Sequence, residues 1–232
     1  MDARRGFVPE DIKNFSDEAI AVMKEAARHV LYLINEGYDM KQAVTFVGNH
    51  FQLSERQRLA LMRSLATADQ LIERKNKEKT FGQLRGREVW IDGFNTVITL
   101  EVMLSDSILI RGMDGCIRDL AALRGTYRLI PETARAVRMM MAYLDFAQAE
   151  KACILLDEPV SNSGRLKALM AEAAEEYGLD TDIRILRDVD RELYEKEYVI
   201  TSDSIILDRC ASWVNLAALC VLRRGNRVIE FI

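Results

Sequence analysis

After Gly86 the chain alternates short apolar runs with segments of helical periodicity. The runs at 88–91, 152–156, 183–186, 198–200 and 227–231 have strand length, and 107–110 is a short extra candidate. Between them, 96–104, 131–149, 164–177 and 211–222 carry helical spacing, with Pro131 at a favoured first-turn position. Strands that alternate with helices bury both faces of a mainly parallel sheet, so this part is expected to be an α/β domain.

The first eighty residues read differently. Ile20, Met23, Ala27, Val30, Leu31 and Ile34 recur at helical spacing behind Ser16 and Asp17, and Gly37 stops them. A second helix is expected over 40–51 and a third after the Ser54 cap, running toward Lys75. The expected organisation is therefore a helical domain at 1–80 and an α/β domain at 86–232. The charged run 73–79 reads as a solvated helix end or linker.

Composition removes several classes of function. The chain has two histidines, His29 and His50, which leaves little material for a His-rich metal site or a Ser/His/Asp triad. Cys116, Cys153, Cys210 and Cys220 sit singly among apolar neighbours, as buried thiols do. No run reaches the ~18 apolar residues of a membrane span, so no membrane partner and a cytoplasmic location are expected. Residues 1–88 carry 15 basic and 13 acidic side chains, and the remainder 17 and 23. An acidic larger part argues against nonspecific coating of nucleic acid.

In an open parallel sheet, the loops at the carboxyl ends of the strands share one crevice. Asp92 ends the first run, ahead of Gly93 and Asn95. Asp157 ends the second, ahead of Glu158, Ser161, Asn162, Ser163 and Gly164. Thr201-Ser202-Asp203-Ser204 ends the fourth, with Asp208 beyond it. Converging carboxylates without His or Cys suit Mg²⁺ or Mn²⁺, which in a nuclease activate water and stabilise the leaving oxygen. Each Asp reads equally as a helix cap or turn residue. Ser163 and its neighbours could hold a phosphate on backbone N–H groups or simply cap a helix. Arg118, Arg124, Arg128, Arg135 and Arg138 could form a phosphate-binding face or an ion-paired surface helix. Residues 41–63 could place Arg56, Arg58 and Arg63 against DNA or be an ordinary packing pair. Met139, Met140 and Met141 read as core.

Val89-Trp90-Ile91-Asp92-Gly93-Phe94-Asn95 resembles the strand-one signature of PIN-like nuclease domains, the NYN branch above all. Tyr198-Val199-Ile200-Thr201-Ser202-Asp203-Ser204 resembles a later strand of that superfamily, and 227–231 fits its order. The resemblance covers about 86–232, and the whole chain resembles an uncharacterised prokaryotic family with a helical N-terminal region. It implies a PIN-like, Rossmannoid domain acting as a metal-dependent ribonuclease or related phosphodiesterase. Asp92 and Asp203 would be ligands and Asn95 would orient the first loop. Asp208 matches a further acidic position loosely, while Ile205 stands where NYN domains often carry an acid. For a middle acid, Asp119, Asp114 and Glu101 are alternatives. The expected site has Asp92, Asp203 and Asp119 as catalytic residues and Asp92, Asp203, Asp157 and Asp208 as ligands of Mg²⁺ or Mn²⁺. Asn95, Arg118, Ser202, Ser204 and Ser163 would contact single-stranded RNA, drawn in by the arginine-rich face. The alternatives are a non-catalytic nucleic-acid or nucleotide-binding module and a helical-domain assembly or regulatory protein, with homo-oligomerisation left open.

Overall fold

The computed structural model describes residues 4–121, 123 and 125–232, so Arg124 lies outside the described residues. A short α1 (Asp11–Asn14) leads to α2 (Asp17–Asn35), α3 (Met40–His50), α4 (Glu55–Ser64) and α5 (Ala68–Lys77). Ser16, Asp39, Ser54 and Thr67 cap α2 to α5 by accepting from backbone N–H groups three residues on. Ser54 with Gln57, and Thr67 with Gln70, close reciprocal capping boxes. Met23, Ala27, Val30 and Ile34 form the buried face of α2.

The remaining elements are β1 (Glu78–Lys79), β2 (Glu88–Asp92), α6 (Gly93–Leu104), β3 (Leu109–Arg111), β4 (Ile117–Asp119), α7 (Pro131–Phe146), β5 (Lys151–Asp157), α8 (Ser163–Tyr177), β6 (Thr181–Leu186), α9 (Val189–Leu193), β7 (Val199–Ile200), α10 (Ser204–Arg209), β8 (Trp213–Val214), α11 (Leu216–Arg224) and β9 (Val228–Ile229). Six strands make one sheet in the order β1-β8-β7-β2-β5-β6, every pair parallel. A second sheet has the order β4-β3-β9. Alternate residues of the main strands feed opposite layers. Ile91, Ile154 and Leu156 pack with Val97, Met140 and Met170, while Leu155 and Val199 pack with Val189, Ile206 and Trp213. The mixed α/β architecture with a parallel sheet follows from that two-sided burial.

The helical segment is not a satellite. Its core of Met23, Val30, Val44 and Leu61 continues into Ile110, Leu120, Ile229 and Phe231 of and beside the small sheet. Its last residues run straight into β1, which pairs with β8.

Several local expectations change. The helix expected at 211–222 is divided: Trp213 and Val214 form β8, and α11 starts behind the Asn215 cap. Buried Trp213 donates its indole N–H to the Arg74 carbonyl at 2.8 Å, an anchor that a helical pattern cannot reveal. The strand at 227–231 shortens to β9 and joins the small sheet, because β3 offers its free edge there. The run 73–79 holds the end of α5, with Glu73, Lys75 and Asn76 exposed as a solvated helix end would be, but Arg74 within it is 2% exposed and ion-paired within the fold. Met140 and Met141 are buried in the core, and the four cysteines are free and buried. No helix among the described residues is long and apolar enough to cross a membrane.

Candidate functional site

The site begins with the parallel pairing of β2 and β7, in which Ile91 lies opposite Ile200. The residues that follow, Asp92 and Thr201, therefore leave the sheet side by side. The Thr201 hydroxyl donates to Asp92 Oδ2 at 2.9 Å and accepts the Asp203 backbone N–H at 3.0 Å. One hydroxyl thus ties together the loops that carry the two acids. Gly93 permits the abrupt start of α6 over β5, since a Cβ there would lie 2.7 Å from the Leu155 carbonyl oxygen.

The loop after β7 is held from two more directions. Asn95 Oδ1 accepts from both the Ser202 N–H, at 2.9 Å, and the Ser202 hydroxyl, at 3.0 Å. Arg118 Nε donates to the Ser202 carbonyl at 2.7 Å. Asp203 caps α10 by accepting the N–H groups of Ile205 and Ile206 through Oδ1, and Asp92 accepts that of Asn95. Both residues are therefore helix caps.

Asp92 is 6% exposed, and burial pushes its carboxyl up to about 8, opposed by the Thr201 hydrogen bond and assisted by the negative charges of Asp203, Asp157 and Asp190. Asp157, at the end of β5, is raised by burial and then by Asp188. Asp190 is raised by burial and by Asp203, Asp157 and Asp188. The charges that raise these three carboxyls are those of other aspartates. Asp188 and Asp190 were not among the expected site residues, although they follow β6 as Asp157 follows β5. Applying the strand-end rule to the run 183–186 would have found them.

Beside this cluster, Arg63, Asn95, Arg118, Asp119, Ser202, Asp203 and Ser204 line a cleft of about 190 Å³, together with Met62 and Ile98. Asp119 accepts from the Ala121 N–H at 2.7 Å, the Thr99 hydroxyl at 3.2 Å and Arg63 Nη1 at 3.2 Å.

Other candidates lie elsewhere. Asp208 turns toward α5, where it accepts from Arg74 Nε at 2.6 Å and Gln70 Nε2 at 2.9 Å, so it is an ion-pair partner rather than a member of the cluster. Glu101 is fully buried and accepts from Arg5 Nε at 2.7 Å and from the Tyr127 hydroxyl at 2.6 Å. Asp114 receives two guanidinium groups, from Arg74 and Arg118; burial pushes its carboxyl up, but the Arg118 hydrogen bond and the charges of both arginines hold it below the usual carboxylate range. Asp119 is the one of the three middle-acid alternatives that lines the cleft. Arg118 positions the Ser202 loop instead of offering a free fork to phosphate. Ser163 starts α8 behind left-handed Asn162 and does not line the cleft. The expected arginine face is dispersed, since Arg138 pairs with Glu176 on the surface while Arg118 is buried. Arg56 grips Asp11 through Nε and Nη2, and Arg58 donates to the Leu53 and Thr45 carbonyls, so neither is presented for DNA.

The donor set is all oxygen, which fits a hard divalent ion. Among the described residues, however, no group of three or more potential ligands is already gathered closely enough to hold one.

Comparison with known sequences divides the chain in two. Residues 22–77 match a protein family of unknown function, DUF434, and residues 81–219 match a domain of unknown function, DUF5616. An uncharacterised protein of Methanocaldococcus jannaschii is 31% identical over 185 residues, covering 80% of this chain and 88% of that protein. No solved structure matches. With its larger part matched by that model, and with a relative aligned across both parts, the chain belongs to the DUF5616 family.

Proposed function

We propose that the chain is a Mg²⁺- or Mn²⁺-dependent ribonuclease or related phosphodiesterase built on a PIN-like domain. The observation that carries this reading is the buried Asp92 carboxyl, tied to the Asp203 loop by Thr201 and without a basic partner. Numbered from β2, the strands β6-β5-β2-β7-β8 run 3-2-1-4-5, a doubly wound order whose ligand crevice opens where the direction of winding reverses. That reversal falls between β2 and β7, where Asp92 and Asp203 stand. This order supports the PIN-like assignment.

Asp92 and Asp203 would hold the ion, with Asp157 and Asp190 nearby to complete its oxygen shell. Bound there, a divalent ion polarises a phosphoryl oxygen and lowers the pKa of a water molecule. Thr201 fixes the orientation of Asp92, while Asn95 and Arg118 hold Ser202 and so aim Asp203. A second reading, a binding module that does not cleave, is favoured by the acids not being gathered at ligand spacing.

Cleavage of single-stranded RNA with and without millimolar Mn²⁺ separates the two. The wild type should cleave only with metal, and Asp92→Asn and Asp203→Asn should each lower the rate by orders of magnitude. Metal-dependent binding without cleavage would establish the binding module, and cleavage unchanged in both variants would move the activity to another site.

A further inference from the structure

The cleft contains a cation that the α/β part does not supply. We propose that Arg63, delivered by α4 of the helical segment, binds a backbone phosphate of a single-stranded RNA substrate; this rests on the nuclease reading and names the residue that recognises its polyanion.

Two arginines line the cleft, and they are in opposite situations. Arg118 is 5% exposed, and its Nε, Nη1 and Nη2 already donate to Ser202 and Asp114. Taking a phosphate would break a buried pair and leave Asp114 short of a partner, which is strongly unfavourable. The Arg63 side chain is 33% exposed, and among the described residues only Nη1 is engaged, with the Asp119 carbonyl at 2.5 Å and Oδ1 at 3.2 Å. Its Nε and Nη2 form the free edge of the fork, the geometry that takes a phosphate bidentately. Asp119 also accepts from the Thr99 hydroxyl and the Ala121 N–H. Because Nε and Nη2 are not engaged, the guanidinium can take a phosphate on that edge while Nη1 stays on Asp119. Asp203 lines the same cleft, so a phosphate on Arg63 lies in one recess with an acid of the cluster. Otherwise the strand meets an acidic crevice that repels it.

The test measures affinity separately from catalysis. The cleavage-deficient Asp92→Asn protein is titrated in EDTA with a short fluorescent oligouridylate over a range of salt, beside Asp92→Asn/Arg63→Gln and Asp92→Asn/Asp119→Asn. Loss of one charge-assisted contact should weaken binding roughly tenfold in the Arg63→Gln protein. It should also lower the slope of log affinity against log salt by about 0.7. Asp119→Asn, which releases Arg63 and removes a negative charge, should strengthen binding. A merely structural Arg63–Asp119 pair predicts that both substitutions act in the same direction, tracking melting temperature. That result, equal affinity of parent and Arg63→Gln, or no binding by the parent overturns the proposal. Mn²⁺-dependent cleavage by the protein with native Asp92, with and without Arg63→Gln, is scored separately, so the nuclease reading can survive the loss of this one.

Discussion

Two buried groups of charges stand side by side in this molecule, and they are built on opposite rules. Around Arg74 and Arg118, each guanidinium meets a carboxylate: Asp114 accepts from both, and Asp208 accepts from Arg74. Around Asp92, the carboxyl groups of Asp157, Asp190 and Asp203 add negative charge, and among the described residues Asp92 has no ion-pair partner. The fold evidently can bring arginine to a buried acid, since it does so twice within the reach of the Ser202 loop. Leaving Asp92 without such a partner costs stability, which the proposed cation would offset. The paired group holds the architecture, and the unpaired group is where chemistry with a cation is to be sought.

The comparison breaks most readily at Asp114. Asp114→Ala leaves two buried guanidinium groups without their shared acceptor and should destabilise the protein by about 3–5 kcal/mol, read by urea unfolding. A loss under about 1 kcal/mol would show that water already reaches the network.

Asp92 should respond in the opposite sense. The unfolded carboxyl loses its proton near pH 4, whereas the folded one keeps it to about pH 8. The native state then binds the extra proton across that interval, and this group's contribution to stability falls as pH rises from ~4 to ~8, levelling above it. The full displacement corresponds to at most ~6 kcal/mol, and water entry on ionisation brings the expected loss to roughly 2–3 kcal/mol. Asp92→Asn removes the dependence, so it should be more stable than wild type at pH 8.5 and nearly equal to it at pH 4. A constant difference across that range would mean that Asp92 does not hold a proton in the folded state.

Metal should mimic part of that gain. A cation that binds only the folded protein adds about 1.4 kcal/mol at ten times its Kd, so millimolar Mn²⁺ should raise the wild-type melting temperature by a few degrees. An Asp92→Asn/Asp203→Asn protein should lose the shift, and sodium at equal concentration should not reproduce it. The smallest effect belongs to the exposed Arg138–Glu176 pair, where Arg138→Ala should change stability by less than about 1 kcal/mol. A larger change would show that surface and buried pairs are not as distinct as their surroundings imply.

The central strands and their terminal acids could be read from the chain because they combine an apolar run with an abrupt polar stop. Val89 to Asp92 and Lys151 to Asp157 are of this kind. The β1–β8 margin could not: these strands have two residues each, too few for any period, and Trp213 reads equally well as part of a helix. Arg74 sits in a run of charges and is buried only because Asp114 and Asp208 arrive from remote segments. Asp188 and Asp190 follow the run 183–186 and are within reach of the same strand-end rule, although Asp190 lies in a short helix. The helical segment's share in the cleft depends on where α4 docks, which no local pattern encodes.

The pairing of β1 with β8 bears on the order in which the chain can mature. Glu78 emerges early in synthesis and has no sheet partner until Trp213 has followed it. Loop-closure entropy must be overcome before that pairing contributes anything, so the outer margin of the sheet is expected to close late. A nascent chain halted before Trp213 would still carry α1 to α10 and β2, but the β7 side of its sheet would remain an open template for strands of other chains.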